Sequence, residues 1–104
     1  MNTEVIRHMV IFNLKHPTGS QEAEKFLHDG RSILTSIPVV QNFEVFNQVS
    51  SKNDYDYGFS MEFSSQADYE AYNEHPLHVK FVQERWLVEV ERFLEIDFQV
   101  PVSR

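Results

Sequence analysis

From Val5 to Leu14 the chain is largely apolar on both of the faces that an extended strand presents. Side chains alternate along a strand, so Ile6, His8, Val10, Phe12 and Leu14 share one face, while Val5, Arg7, Met9 and Ile11 share the other. A strand wetted on one side carries mostly polar residues there; both faces of this one are mostly apolar, and it calls for cover on both sides. That demand is heavy for a chain of 104 residues, the size of one domain spanning 1–104. Nine phenylalanines add apolar surface that so small a body struggles to enclose. The chain's own helices supply one cover. The second is expected from another copy of the chain, since closed two-fold dimers are the commonest oligomers.

The rest of the sequence is punctuated clearly. His16-Pro17-Thr18-Gly19 reads as a turn, and a helix follows to about Ser36, with Thr18 and Gln21 at capping-box spacing. Ala23, Phe26, Leu27, Ile33, Leu34 and Ile37 form its apolar stripe, broken by Gly30, and Pro38 ends it. Asn42–Val49 and Tyr57–Phe63 read as strands joined by the polar loop 50–54. Ser65 and Asp68 form a capping pair for a short helix, Pro76 suits the first turn of another, and Arg92–Phe98 is the last strand, closed by Pro101. The order β-α-β-β-α-β predicts an α+β, ferredoxin-like protomer with a four-stranded antiparallel sheet. Both helices then cover one face, and the other, with Met9 and Ile11, is left for a homodimer contact.

Composition removes several function classes. Net charge is −7, so the positive field that nucleic acid or an anionic membrane requires is missing. There are no cysteines, which excludes disulfides, zinc–thiolate sites and thiol catalysis. Met9-Val10-Ile11-Phe12, the longest apolar run, is far too short to span a bilayer. No signal peptide is visible at Met1-Asn2-Thr3-Glu4, and a cytoplasmic location is the expectation. Gly-rich phosphate loops and nucleophile elbows are absent from the sequence.

Three residues stand out for chemistry. His78 lies in the first turn of the helix opened by Pro76, where burial favours a neutral imidazole able to act as a base. Tyr72, just before the break, can donate a hydrogen bond to a developing oxyanion. His8 shares the strand face of Val10 and Phe12. All three are expected to converge on one cavity between helices and sheet, with Gly30 removing bulk beside it and Phe81 among its lining. The competing reading makes each a core residue with satisfied hydrogen bonds. His75 precedes Pro76 and is expected to cap a helix rather than bind metal, since no third ligand supports the His75/His78 spacing. His16 and His28 read as loop and surface residues, and Glu62 as a polar residue of the dimer face.

Ile6-Arg7-His8-Met9-Val10-Ile11-Phe12, the stretch from Tyr69 to Phe81 with Tyr72-Asn73-Glu74-His75-Pro76-Leu77-His78-Val79 as its most specific part, and Ile96-Asp97-Phe98 together resemble the Dabb family, the stress-responsive A/B barrel proteins. The resemblance spans nearly the whole chain and implies a dimeric α/β barrel. The family includes plant stress proteins and olivetolic acid cyclase, a polyketide cyclase. In the cyclase a histidine and a tyrosine do acid–base work between sheet and helices. The matching residues are His78 and Tyr72, and a first-strand pocket histidine matches His8. Two pocket positions differ: Tyr57 stands where the cyclase has a histidine, and Gly30 where it has a tyrosine. The pocket is therefore reshaped, and the cyclase substrate does not carry over. Some plant members bind magnesium through main-chain carbonyls just after the first helix, a stretch matching Leu34 to Val40. Two functions stay open: a cofactor-free acid–base enzyme for a small apolar carbonyl compound, or a non-catalytic dimer that binds a small molecule or serves a stress response.

Overall fold

The computed structural model describes residues 4–99. The elements run β1 (Ile6–Leu14), α1 (Gln21–Leu34), β2 (Gln41–Asn47), β3 (Tyr57–Phe63), α2 (Gln66–Glu74), α3 (Pro76–Phe81), a π-helical turn (Val82–Trp86), the short α4 (Leu87–Glu89) and β4 (Val90–Gln99). This is the ferredoxin-like order expected from the sequence. The sheet is antiparallel throughout, in the order β2-β3-β1-β4. Pro101, expected to close the last strand, lies outside the described residues.

Central β1 sets the register. His8 faces Met61 of β3 and Asp97 of β4, and Val10 faces Phe59 and Glu95. On the helix side, Phe12, Phe26, Phe59 and Phe63 are fully buried, with Phe12 and Phe59 in edge contact at 4.9 Å. Burying each such ring contributes about 2–3 kcal/mol. Gly30 lets α1 close on this cluster: a Cβ there would come within 2.9 Å of the Phe59 ring and 3.4 Å of Phe81.

Helix boundaries follow from local chemistry. The N-cap of α1 is Ser20, whose hydroxyl accepts from the Ala23 amide at 3.2 Å, not Thr18 as the spacing suggested. Gly19 sits at φ 78°, so the chain is still turning there, and Thr18 donates instead to Asp56 at 3.3 Å. Ser65 caps α2 by accepting from the Asp68 amide at 3.1 Å. Pro76 has no N–H to donate and holds His75 extended, so α2 stops; His75 Nδ1 then accepts from the Leu77 amide at 3.1 Å and starts α3. Strand β2 ends at Asn47 rather than Val49, which is 91% exposed, and β4 begins two residues early at Val90, which is buried beside Leu14.

The face away from the helices is open. Register places Met9, Ile11, Phe46, Leu94, Ile96 and Phe98 there. Phe46, Leu94, Ile96 and Phe98 are each more than a third exposed. Glu62 on this face accepts from Arg7 and, at 2.8 Å, from Asn42.

Candidate functional site

A cavity of about 300 Å³ lies between the helix side of the sheet and the α2–α3–π-turn segment. The break at His75-Pro76 and the π-helical turn produce it: both interrupt regular helix, and the turn's ends, Val82 and Trp86, line the space. Most of its wall is apolar, with Val10, Phe59, Met61, Phe81, Trp86 and Phe93 contributing. Its polar groups cluster: His8, Tyr72, Asn73, His78 and Glu95. Tyr72 meets both histidines, its ring centroid 4.3 Å from His78 and 6.2 Å from His8.

Each polar group is held in a defined state. His78 Nδ1 lies 3.1 Å from the Asn73 carbonyl, which can only accept, so Nδ1 carries the hydrogen and Nε2 keeps its lone pair. Burial pushes the His78 imidazole below its ordinary pKa, against the Asn73 carbonyl, which raises it; His8 lowers it further. The ring is therefore neutral near pH 7. Burial likewise raises the Tyr72 hydroxyl well above the usual phenol range, with Tyr69 and Glu95 adding to the effect. It remains a protonated donor across neutral pH.

His8, 5% exposed, is held by two residues to which the sequence assigned no role at the site. Its Nδ1 is 2.6 Å from Asp97 Oδ1. The Tyr69 hydroxyl lies 3.0 Å from the same nitrogen and donates to Asp97 Oδ2 at 2.9 Å. On the other edge of the ring, Nε2 is 3.8 Å from Glu95 Oε1. Tyr69 is one helical turn from Tyr72, and Asp97 shares a β4 face with Glu95, so their spacing held a signal. What was missing was the β1–β4 register that sets Asp97 opposite His8.

The cavity thus brings together His8, Tyr72, His78 and Phe81. Tyr57 and Gly30 do not line it. Tyr57 is four residues from Met61 along β3, about 13 Å away at the rise of a strand, and its buried hydroxyl accepts from the Gly19 amide at 3.1 Å. At Gly30 the space left by the absent side chain is filled by the Phe59 and Phe81 rings. His28 is exposed, and His16 bonds Glu89 at 2.8 Å.

No group of three or more His, Asp or Glu side chains suited to a metal ion occurs among the described residues. In the stretch after α1, the Leu34 and Ile37 carbonyls already accept from the Ile37 and Val40 amides, at 3.2 and 3.1 Å. No described helix is long and apolar enough to cross a membrane.

The family model for the stress responsive A/B barrel domain, Dabb, matches residues 6–100. The chain belongs to the Dabb family. A Dabb family protein of ferredoxin-like fold from Mesorhizobium loti is 53% identical, with a TM-score of 0.92 over 96% of this chain and 99% of that one. Two more distant structures share the fold. One is the hydroxynitrile lyase of Passiflora edulis, 14% identical with a TM-score of 0.83, covering 98% of each chain. The other is a dimeric ferredoxin-like protein of unknown function from Thermobifida fusca, 17% identical with a TM-score of 0.77, covering 93% of this chain and 92% of that one. The Dabb fold accounts for the shared frame; these low identities carry nothing about chemistry.

Proposed function

We propose that this Dabb protein is a cofactor-free acid–base enzyme acting on a small, largely apolar carbonyl compound. One observation carries this: the His78 imidazole and the Tyr72 phenol, their ring centroids 4.3 Å apart, stand at the polar part of an otherwise apolar cavity. His78 Nε2 takes a proton from the carbon next to the carbonyl. The C–H pair forms a C=C bond, the carbonyl π pair moves to oxygen, and the Tyr72 hydroxyl donates to the resulting enolate oxygen. Return of the proton completes an isomerisation or exchange, and attack of the enolate on a second carbonyl closes a ring or joins two carbons. His8 orients the ligand from the sheet.

The same reading makes the active species a homodimer joined through the open sheet face. The exposed apolar side chains of Phe46, Leu94, Ile96 and Phe98 support it, as does the dimeric state of the Thermobifida fusca protein.

The test needs no known substrate. Acetophenone and a 1,3-diketone are incubated with the protein in deuterated buffer, and α-proton exchange is followed by NMR. The expected result is exchange above the buffer rate that His78→Ala abolishes and Tyr72→Phe reduces at least tenfold. Binding without exchange across a panel of apolar ketones would favour the second function, a non-catalytic small-molecule binder, for which the apolar wall is equally suited. Neither binding nor exchange would overturn both.

A further inference from the structure

The three residues of the proposed reaction leave a second network unused. His8 is buried, yet its two ring nitrogens meet different surroundings. Nδ1 points to Asp97 and Tyr69, neither of which lines the cavity. Nε2 points toward Glu95, which does.

We infer that Asp97 and Tyr69 are positioning residues that make His8 a second proton-transfer group of the cavity, alongside His78. The inference deepens the acid–base reading and rests on it. A carboxylate can only accept, so Asp97 at 2.6 Å takes the Nδ1 hydrogen. Tyr69 donates to both Asp97 oxygens, at 3.1 and 2.9 Å, and holds the carboxylate in place. Its own ring is fixed by stacking on Phe63, 5.1 Å between centroids. In its neutral form His8 is thereby locked with Nε2 bare toward the cavity, the tautomer a proton acceptor needs.

A proton arriving at Nε2 breaks its bond to the ligand and forms one to nitrogen. The imidazolium then lies between Asp97 at Nδ1 and Glu95 at 3.8 Å from Nε2, and can give the proton back. The other groups that face His8 are Tyr69 and Tyr72 of α2 and His78 of α3, whose pKa it lowers; the strand partner Met61 is uncharged. At His78 the corresponding place is taken by a backbone carbonyl, that of Asn73. The two imidazoles are thus suited to different halves of one proton shuttle.

The tautomer is read directly by long-range ¹⁵N–¹H NMR on labelled wild-type protein, at a pH where both rings are neutral. Expected is His8 with hydrogen on Nδ1 and a bare Nε2. Hydrogen on Nε2 instead would overturn the inference without any variant. In Asp97→Ala/Tyr69→Phe, Nδ1 loses both partners, while the phenylalanine keeps the stack on Phe63. His8 should then shift to the Nε2–H form and acetophenone exchange should fall at least tenfold, with the His78 tautomer unchanged. A double variant that keeps the wild-type His8 tautomer, or wild-type exchange, refutes the positioning role. Absent exchange in the wild type with the expected tautomer would instead sink the acid–base reading, so the two failures are distinguishable.

Discussion

Ile96→Glu should dissociate the protein into folded monomers. Ile96 lies on the open face of β4, opposite Met9 of β1, and is 39% exposed. On this edge strand a protomer tolerates glutamate, because the side chain can reach water; Met9 and Ile11, in the middle of the sheet, are less exposed and invite unfolding instead. In a face-to-face dimer the substitution removes about 2 kcal/mol of apolar burial. It also buries a carboxylate without a partner, which costs at least another 2–3 kcal/mol. A two-fold interface contains the change twice. Even if relaxation recovers half of the total, the dimer weakens by roughly a thousandfold, since 1.4 kcal/mol is a factor of ten. Sedimentation velocity at micromolar protein reads this directly, with circular dichroism confirming that the monomer stays folded. Leu87→Glu is the control: Leu87 is 64% exposed on the helix side, and its charge should leave the dimer intact. Wild-type protein that sediments as a monomer, or an Ile96→Glu dimer of unchanged affinity, would refute the assignment of the open face.

Stability should fall as pH drops from 7 toward 5, by way of His78. Burial lowers its folded pKa below the unfolded value of about 6.5, so the unfolded chain binds the extra proton first and acid favours it. Urea melts across that range should show a smaller slope in His78→Gln, and an identical slope would exclude His78 as the source. Arg85→Ala should cost about 1–2 kcal/mol in the same melts. Its guanidinium donates to Asp29 at 2.8 Å and Glu89 at 2.5 Å, tying α1 to the end of α4, and a change within error would show these partly wetted pairs to be inert. Chelation should leave the melting temperature unmoved; a drop of several degrees would point to the carbonyls between Leu34 and Val40.

The fold was legible because its signals are local and repeated. Period-two burial in β1, the Ser65 cap and Pro76 each act within a few residues, and every one appears where the pattern put it. The misplaced cap of α1 came from one dihedral, since Gly19 in the left-handed region delays the helix by two residues in a way that spacing alone does not encode. The site was legible only in part, for a different reason. His8, Tyr72 and His78 can be named from strand parity and a helix break, but Asp97 is 89 residues from His8. Their meeting depends on the β1–β4 register, which shifts at Asn13/Leu14 and is fixed by packing along the whole strand. Tyr57 failed in the same way: it has the right parity to face the helices, yet parity does not say how far along β3 the cavity lies. A chain this short can announce its layers residue by residue. The pairs that do chemistry depend on register, and here register converts an isolated strand histidine into one backed by a carboxylate.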